Sequence, residues 1–257
     1  MPDFLTQIDW SQLLPFVAIG FAAQIVDGAL GMAFGLINST LMVTMMGTPP
    51  ALASASVHAV ETFTTAASGV SHIVNRNVDW KLFRRLVIPG VIGAALGATV
   101  LSRLDASVAR PFVMAYLAAI GVYLLFRAWR GGIERRQPRV IAPLGLVGGF
   151  LDAAGGGGWG PVVTSNLLVQ GATPRHTIGT VNTAEFFLTL TASVAFFVSL
   201  GWAAFTLQAV GLLFGGLLAA PLGGILAKRV PTRQLMAFVG VLLTLTSLWS
   251  IYAALAR

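Results

Sequence analysis

Apolar residues fall in eight stretches along the chain, at 13–46, 51–74, 86–101, 111–126, 141–169, 177–199, 206–227 and 235–255. Most are about the length of one helical crossing, roughly 20 residues through a 30 Å hydrocarbon layer. Two differ. Stretches 13–46 and 141–169 are too long for one crossing and short for two, and glycines break both: "DGALGMAFG" in the first, "DAAGGGGWGP" in the second. The pattern predicts two helical pieces in each, meeting at unwound backbone within the membrane. Pro161, in "WGP", suits the first turn of a restarted helix. Such backbone survives only where protein or a wet cavity covers it, because bare N–H and C=O groups in lipid each cost several kcal/mol.

The two broken stretches correspond. Asp27 aligns with Asp152, and the same spacing pairs Gly31 with Gly156, Phe34 with Trp159 and Gly35 with Gly160. After a one-residue slip, Gly47 meets Gly171 and Pro50 meets Pro174. "SVHAVETF" (56–63) then lies over "TVNTAEFF" (180–187), so His58 matches Asn182 and Glu61 matches Glu185. Further on, "RLDASVARPF" (103–112) matches "RVPTRQLMAF" (229–238). The chain is an internal duplication with a first repeat at 1–130, a basic linker at 131–142 and a second repeat at 143–257.

Composition turns this layout into a membrane protein. Of 257 residues, 56% are hydrophobic and 10% charged, where soluble domains carry about a quarter as charges. The mean hydropathy is +0.82. No cysteine is present, which removes disulfides and thiolate chemistry. The net charge of +7 does not indicate nucleic acid, since the bases sit in short clusters between apolar stretches. The first base is Arg76, so no basic n-region of a cleaved signal is expected. Bases gather at 76–85, 127–139 and 228–233, which the positive-inside rule places in the cytoplasm; Arg103, Arg110 and Arg257 run against it. Each half then contains an odd net number of crossings. The expected fold is an all-α polytopic membrane protein of two inverted-topology repeats, each a broken or re-entrant helix pair followed by three transmembrane helices. That arrangement is the sign of a secondary transporter whose site lies at the repeat interface.

Chemistry is concentrated in four acids. Asp27, Glu61, Asp152 and Glu185 lie in apolar stretches and form two repeat-related pairs, while the other five acids lie in loops or near the N-terminus. A charge at the centre of a bilayer helix is penalised by about 2.5–3.5 kcal/mol even on the mildest scale, and such groups mark pathways or proton relays. With no Lys or Arg beside them they are candidates for proton binding, coupling or gating. For Asp27 and Asp152 the competing reading is a cap on free N–H groups. For Glu61 and Glu185 it is a static hydrogen-bonded role. Ser54, His58, Glu61, Thr65 and Ser68 share one helical face, matched by Asn182, Glu185 and Thr189. A metal at His58 and Glu61 is poorly supported by two ligands alone.

A helix that starts inside the membrane points free N–H groups and a positive dipole end at the gap before it. Two such starts would bind an anion without basic side chains. The candidate substrate-binding residues are Gly31, Gly35, Asn38, Ser39, Gly156, Gly157, Gly158, Trp159, Thr164 and Asn166. The glycines could instead serve close helix packing.

"VDGALGMAFG", its counterpart "LDAAGGGGWG", the "GTPP" and "GATPR" turns and the doubled hydrophobic layout resemble the TauE/SafE family, the sulfite exporter or toluene-sulfonate uptake permease family, over residues 13–255. The resemblance implies transport of a small sulfur-containing anion (sulfite, thiosulfate or an organosulfonate) across the bacterial cytoplasmic membrane. The reading that follows is a proton-coupled secondary transporter working by alternating access. A passive anion channel and a cation or metal carrier stand as alternatives. An intramembrane enzyme lacks an assembled site, and no cofactor or nucleic-acid partner is expected, only the substrate and the bilayer.

Overall fold

The computed structural model describes residues 10–30, 33–130, 138–164, 166–167, 170, 172–204, 207–226 and 232–255. Most of these residues are helical, and no strand occurs among them. The first half contains α1 (Trp10–Leu30), α2 (Phe34–Thr44), α3 (Pro50–Val74), α4 (Trp80–Arg103) and α5 (Ala106–Arg130). The second contains α6 (Ala142–Gly155), a π turn (Gly160–Thr164), α7 (Pro174–Leu200), a 3₁₀ turn (Gly201–Ala204), α8 (Leu207–Leu226) and α9 (Thr232–Leu255). Among the described residues, α4, α5 and most of α7 are long and apolar enough to cross a membrane, and shorter apolar helices accompany them.

Helices α4 and α5 outrun their apolar windows because both start from a polar cap on the aqueous side. Asp79 accepts from the N–H groups of Lys81 (2.9 Å) and Leu82 (3.1 Å), and Asp105 from that of Ser107 (2.8 Å). Each cap satisfies orphan donors of a first turn, so winding begins several residues before hydrocarbon does.

The second break restarts a helix with Pro161 in its first turn: Trp159 is α-helical, and the Val162 N–H donates to the Gly158 carbonyl at 2.9 Å. After α6 the chain runs non-helically through Gly156–Gly158 and rewinds in π geometry over Gly160–Thr164. An anchor stands just before the π turn. The Trp159 indole is fully buried, wedged where a Cβ on Gly90 or Gly148 would touch it, and its Nε1 donates to the Val181 carbonyl at 3.2 Å.

Packing exchanges elements between the halves. Helix α1 lies along α8, and its repeat mate α6 lies along α4, the mate of α8. Repeat mates α3 and α7 pack on each other, as do α5 and α9. Glycines bring these pairs to backbone distance: Gly93 and Gly97 of α4 face the carbonyls of Leu146 and Phe150, and Gly215 of α8 faces that of Val17. Small residues of this kind let membrane helices approach closely. The shared core lies around α3 and α7.

Candidate functional site

Each break is closed by its own aspartate. In the first, Asp27 Oδ1 accepts from the Phe34 N–H at 3.3 Å. In the second, Asp152 Oδ1 accepts from the Trp159 N–H at 2.8 Å. Both bonds span seven residues and join equivalent positions, so the capping reading of these acids describes their geometry. Asp152 also ends α6: its carbonyl accepts from the Gly157 N–H at 2.8 Å, with Gly156 left-handed at φ 76°. A left-handed glycine with this back-bond is a common helix stop.

The first break turns at Ala33, with φ 112° and ψ −9°, where its counterpart Gly158 has φ 144°. An L-residue is strained there. Ala33→Gly is therefore expected to stabilise the protein by about 1 kcal/mol, read as a higher unfolding temperature in detergent.

The two breaks touch. A Cβ on Gly157 would lie 2.5 Å from the Leu36 nitrogen, and one on Gly35 would lie 3.0 Å from Gly157 Cα. Ser39 Oγ donates to the Gly156 carbonyl, and Ser54 Oγ to that of Ala153 at 2.7 Å. The Gly run thus serves close packing and positive φ together. Tyr116, from α5, was not singled out by the sequence pattern. Its ring covers Gly155 and Gly158, and its hydroxyl donates to the Gly157 carbonyl at 3.3 Å. A phenol inside an apolar stretch, one of two with Tyr123, was the available signal.

All four acids converge on this junction. Glu61 Oε1 takes the Gly35 N–H and lies within electrostatic reach of Asp27, Asp152 and His58. Glu185 lies within reach of Glu61, Asp27 and Asp152. Exposure is 9% for Asp27, 5% for Glu61, 2% for Asp152 and 7% for Glu185, low enough to exclude bulk solvent as their counter-ligand. His58 is wholly buried. Its Nδ1 lies 2.8 Å from the Ser54 carbonyl, which needs a proton on Nδ1. Its Nε2 lies 3.2 Å from Asp152 Oδ2, so the imidazole and the carboxyl share one proton between them. The repeat mates Thr65 and Thr189 meet at 3.5 Å between hydroxyls, which joins the two polar stripes.

The anion reading meets a complication here. The N–H groups of Phe34, Gly35 and Trp159 already have carboxylate acceptors. The second restart widens to a π turn over Gly160–Thr164, and Asn166 and Leu167 beyond it are α-helical, whereas α2 is regular from its first residue. Beside it, Glu61 Oε2, Asn38 Oδ1 and Thr40 Oγ1 are buried without a hydrogen-bond partner, and so is Thr164 Oγ1 in the π turn. Orphaned buried acceptors cost about 1–3 kcal/mol each, which marks a place where a ligand or water adds stability. The Asn38 amide donates to the Phe34 carbonyl at 2.9 Å, Asn166 to that of Val162 at 2.6 Å and Asn182 to that of Ile178 at 3.1 Å. Gly31 lies outside the described residues.

The profile of the family described as Sulfite exporter TauE/SafE matches residues 16–250. The chain is similar to "Probable membrane transporter protein YtnM" of Bacillus subtilis (strain 168), with 43% identity over 238 residues, covering 89% of this chain and 79% of that protein. It is also similar to a "Probable membrane transporter protein" of Haemophilus influenzae (strain ATCC 51907 / DSM 11121 / KW20 / Rd), with 26% identity over 150 residues, 57% of this chain and 58% of that one. No solved structure matches the chain.

Proposed function

The chain belongs to the TauE/SafE family, a membrane transporter and not an enzyme, and on that premise we propose that it is a proton-coupled secondary transporter of a small sulfur-containing anion. It works by alternating access across the bacterial cytoplasmic membrane, as a multi-pass protein. The observation that carries this reading is the junction itself: two interrupted backbones in contact at Gly35 and Gly157, lined by peptide donors, hydroxyls and carboxyls and, among the described residues, by no Lys or Arg. The exchanged pairing of α1 with α8 and of α6 with α4 supports two inverted repeats related by a pseudo-two-fold axis. The meeting of Thr65 with Thr189 supports placing that axis between α3 and α7.

Protons are the natural coupling ion because four carboxyls and one imidazole share a site without fixed cations, so bound protons balance its charge. The family's name, sulfite exporter, points to sulfite; thiosulfate and organosulfonates share its oxyanion chemistry. A second reading, a cation carrier, is favoured by the same convergence of carboxyls. Against it, no group of three or more His, Asp or Glu among the described residues is arranged to hold a metal ion.

The deciding experiment is uptake into liposomes containing purified protein, with an imposed proton gradient and competing sulfite, thiosulfate, methanesulfonate or divalent metal. The expected result is gradient-driven sulfur-oxyanion flux that Glu61→Gln and Glu185→Gln uncouple. Metal flux without anion flux would transfer the assignment to the cation reading. Channel-size currents would remove coupling.

A further inference from the structure

We propose that the Glu61 carboxylate is the resident occupant of the anion site: it holds the Gly35 N–H at the start of α2 until it is protonated, and the transported oxyanion then takes its place. One proton therefore binds with each anion. The inference rests on the anion-transport reading above and gives it a stoichiometry at a named atom.

The argument is geometric. The dipole end of α2, an 11-residue helix, favours a negative group. Two of its first donors are occupied by carboxylates that differ in tether. Asp27, on α1, is bound to its break as a repeat-conserving cap, a role that Asp152 repeats in the other half. Glu61 comes from another helix, α3, and among the described residues its mate Glu185 takes no such backbone N–H. Only one Glu61 oxygen is engaged; Oε2 is buried with no partner. A group made solely to be held statically would have both oxygens satisfied. The acceptor position is also kept open by sequence, since a Cβ on Gly35 would stand 2.9 Å from Glu61 Oε1. Asn38, one turn along α2, presents a second orphaned oxygen. Its amide, now spent on the Phe34 carbonyl, is a donor that an incoming oxyanion can recruit.

A bound oxyanion and an ionised Glu61 exclude each other by charge and by competition for the same N–H. When a proton from water neutralises Glu61, the carboxyl gives up the donor and its orphaned oxygen gains an O–H that can itself reach the anion. The groups facing Glu61 are His58 on its own helix, Asp27 on α1, Asp152 on α6 and Glu185 on α7, with Tyr116 of α5 beside Asp152. Any of these is a rival proton acceptor, so the test must separate them.

The measurement is calorimetric binding of thiosulfate and methanesulfonate, whose charges stay constant between about pH 5 and pH 8, to the full chain in detergent. Wild-type affinity should rise about tenfold per unit fall in pH wherever free Glu61 is ionised, with about one proton taken up per anion. Glu61→Gln should bind at least as tightly as the wild type at low pH and lose that slope. Glu61→Asp, one methylene short of the Gly35 N–H, should bind more tightly than wild type at high pH, and it covers the case in which Glu61→Gln fails to fold. A flat wild-type profile, or a slope that survives in Glu61→Gln, overturns the proposal while leaving an anion site in place. Absence of anion binding in every protein at every pH removes the anion-transport reading, and this inference with it.

Discussion

Gly157→Ala is expected to destabilise the protein by roughly 3 kcal/mol or more, combining a strained backbone with an overpacked contact. Two independent obstacles act at one atom. Gly157 has φ 132°, a conformation L side chains rarely adopt. Its new Cβ would lie 2.5 Å from the Leu36 nitrogen and 2.6 Å from the Gly35 carbonyl carbon. Both are backbone atoms, so no flexible side chain can yield. Relief requires the two breaks to separate, which would expose the α2 start and pull Glu61 off Gly35. Gly201→Ala provides the comparison. Gly201 also has positive φ, at 63°, but nothing lies within 4 Å of its Cβ position. With ψ −150°, that change should cost about 1–3 kcal/mol from backbone strain alone. Unfolding temperatures of both variants in detergent test the pair; equal losses would show that the junction is not a close contact.

Asp152→Ala is the second large effect, at about 3–5 kcal/mol, the usual consequence of removing one partner from a buried charged pair. Three interactions depend on this residue: the cap on Trp159, the stop of α6 and the contact with His58. The stop uses the backbone carbonyl and survives the substitution; the other two do not. His58, wholly buried, would then hold an unmatched nitrogen against the Phe196 ring, whose centroid is 6.1 Å away. Asp152→Asn keeps an oxygen for the Trp159 N–H and a polar group for His58, so its loss should be about 1–2 kcal/mol. It cannot exchange a proton with His58, so transport should fall further than stability does. Asp27→Ala, which breaks a longer 3.3 Å cap with no imidazole behind it, should cost about 1–2 kcal/mol. Chemical denaturation and liposome flux, measured together, separate these outcomes. An Asp152→Asn protein with full flux would exclude the His58–Asp152 proton from the cycle.

The two interrupted segments were legible because their signals are local. Asp27 and Asp152 each precede the N–H they cap by seven residues, and glycines in between weaken regular helix. Glu61 and Glu185 sit in matched polar stripes whose spacing places them on a single helical face. These features follow from short-range periodicity and from the cost of charges in hydrocarbon, and neither needs a partner to be recognised. The π turn was not legible, because Gly160 and Pro161 are equally compatible with an α start. It stands beside Trp159, which is held by Gly90, Gly148 and Val181, residues from three other places in the chain. Tyr116 escaped notice for the same reason.

Chain order alone was enough to point to an all-helical membrane protein with two interrupted segments and four acids in apolar stretches. It could not reveal that the acids meet, or that peptide donors thought to be free are held by carboxylates. His58 and Asp152 are 94 residues apart, and Ser39 and Gly156 are 117 apart. Contacts at such separations depend on how whole helices dock, through the glycine faces of α4 with α6 and α1 with α8. Local periodicity describes which face a helix will bury, but the identity of the partner comes from the packing of every helix at once.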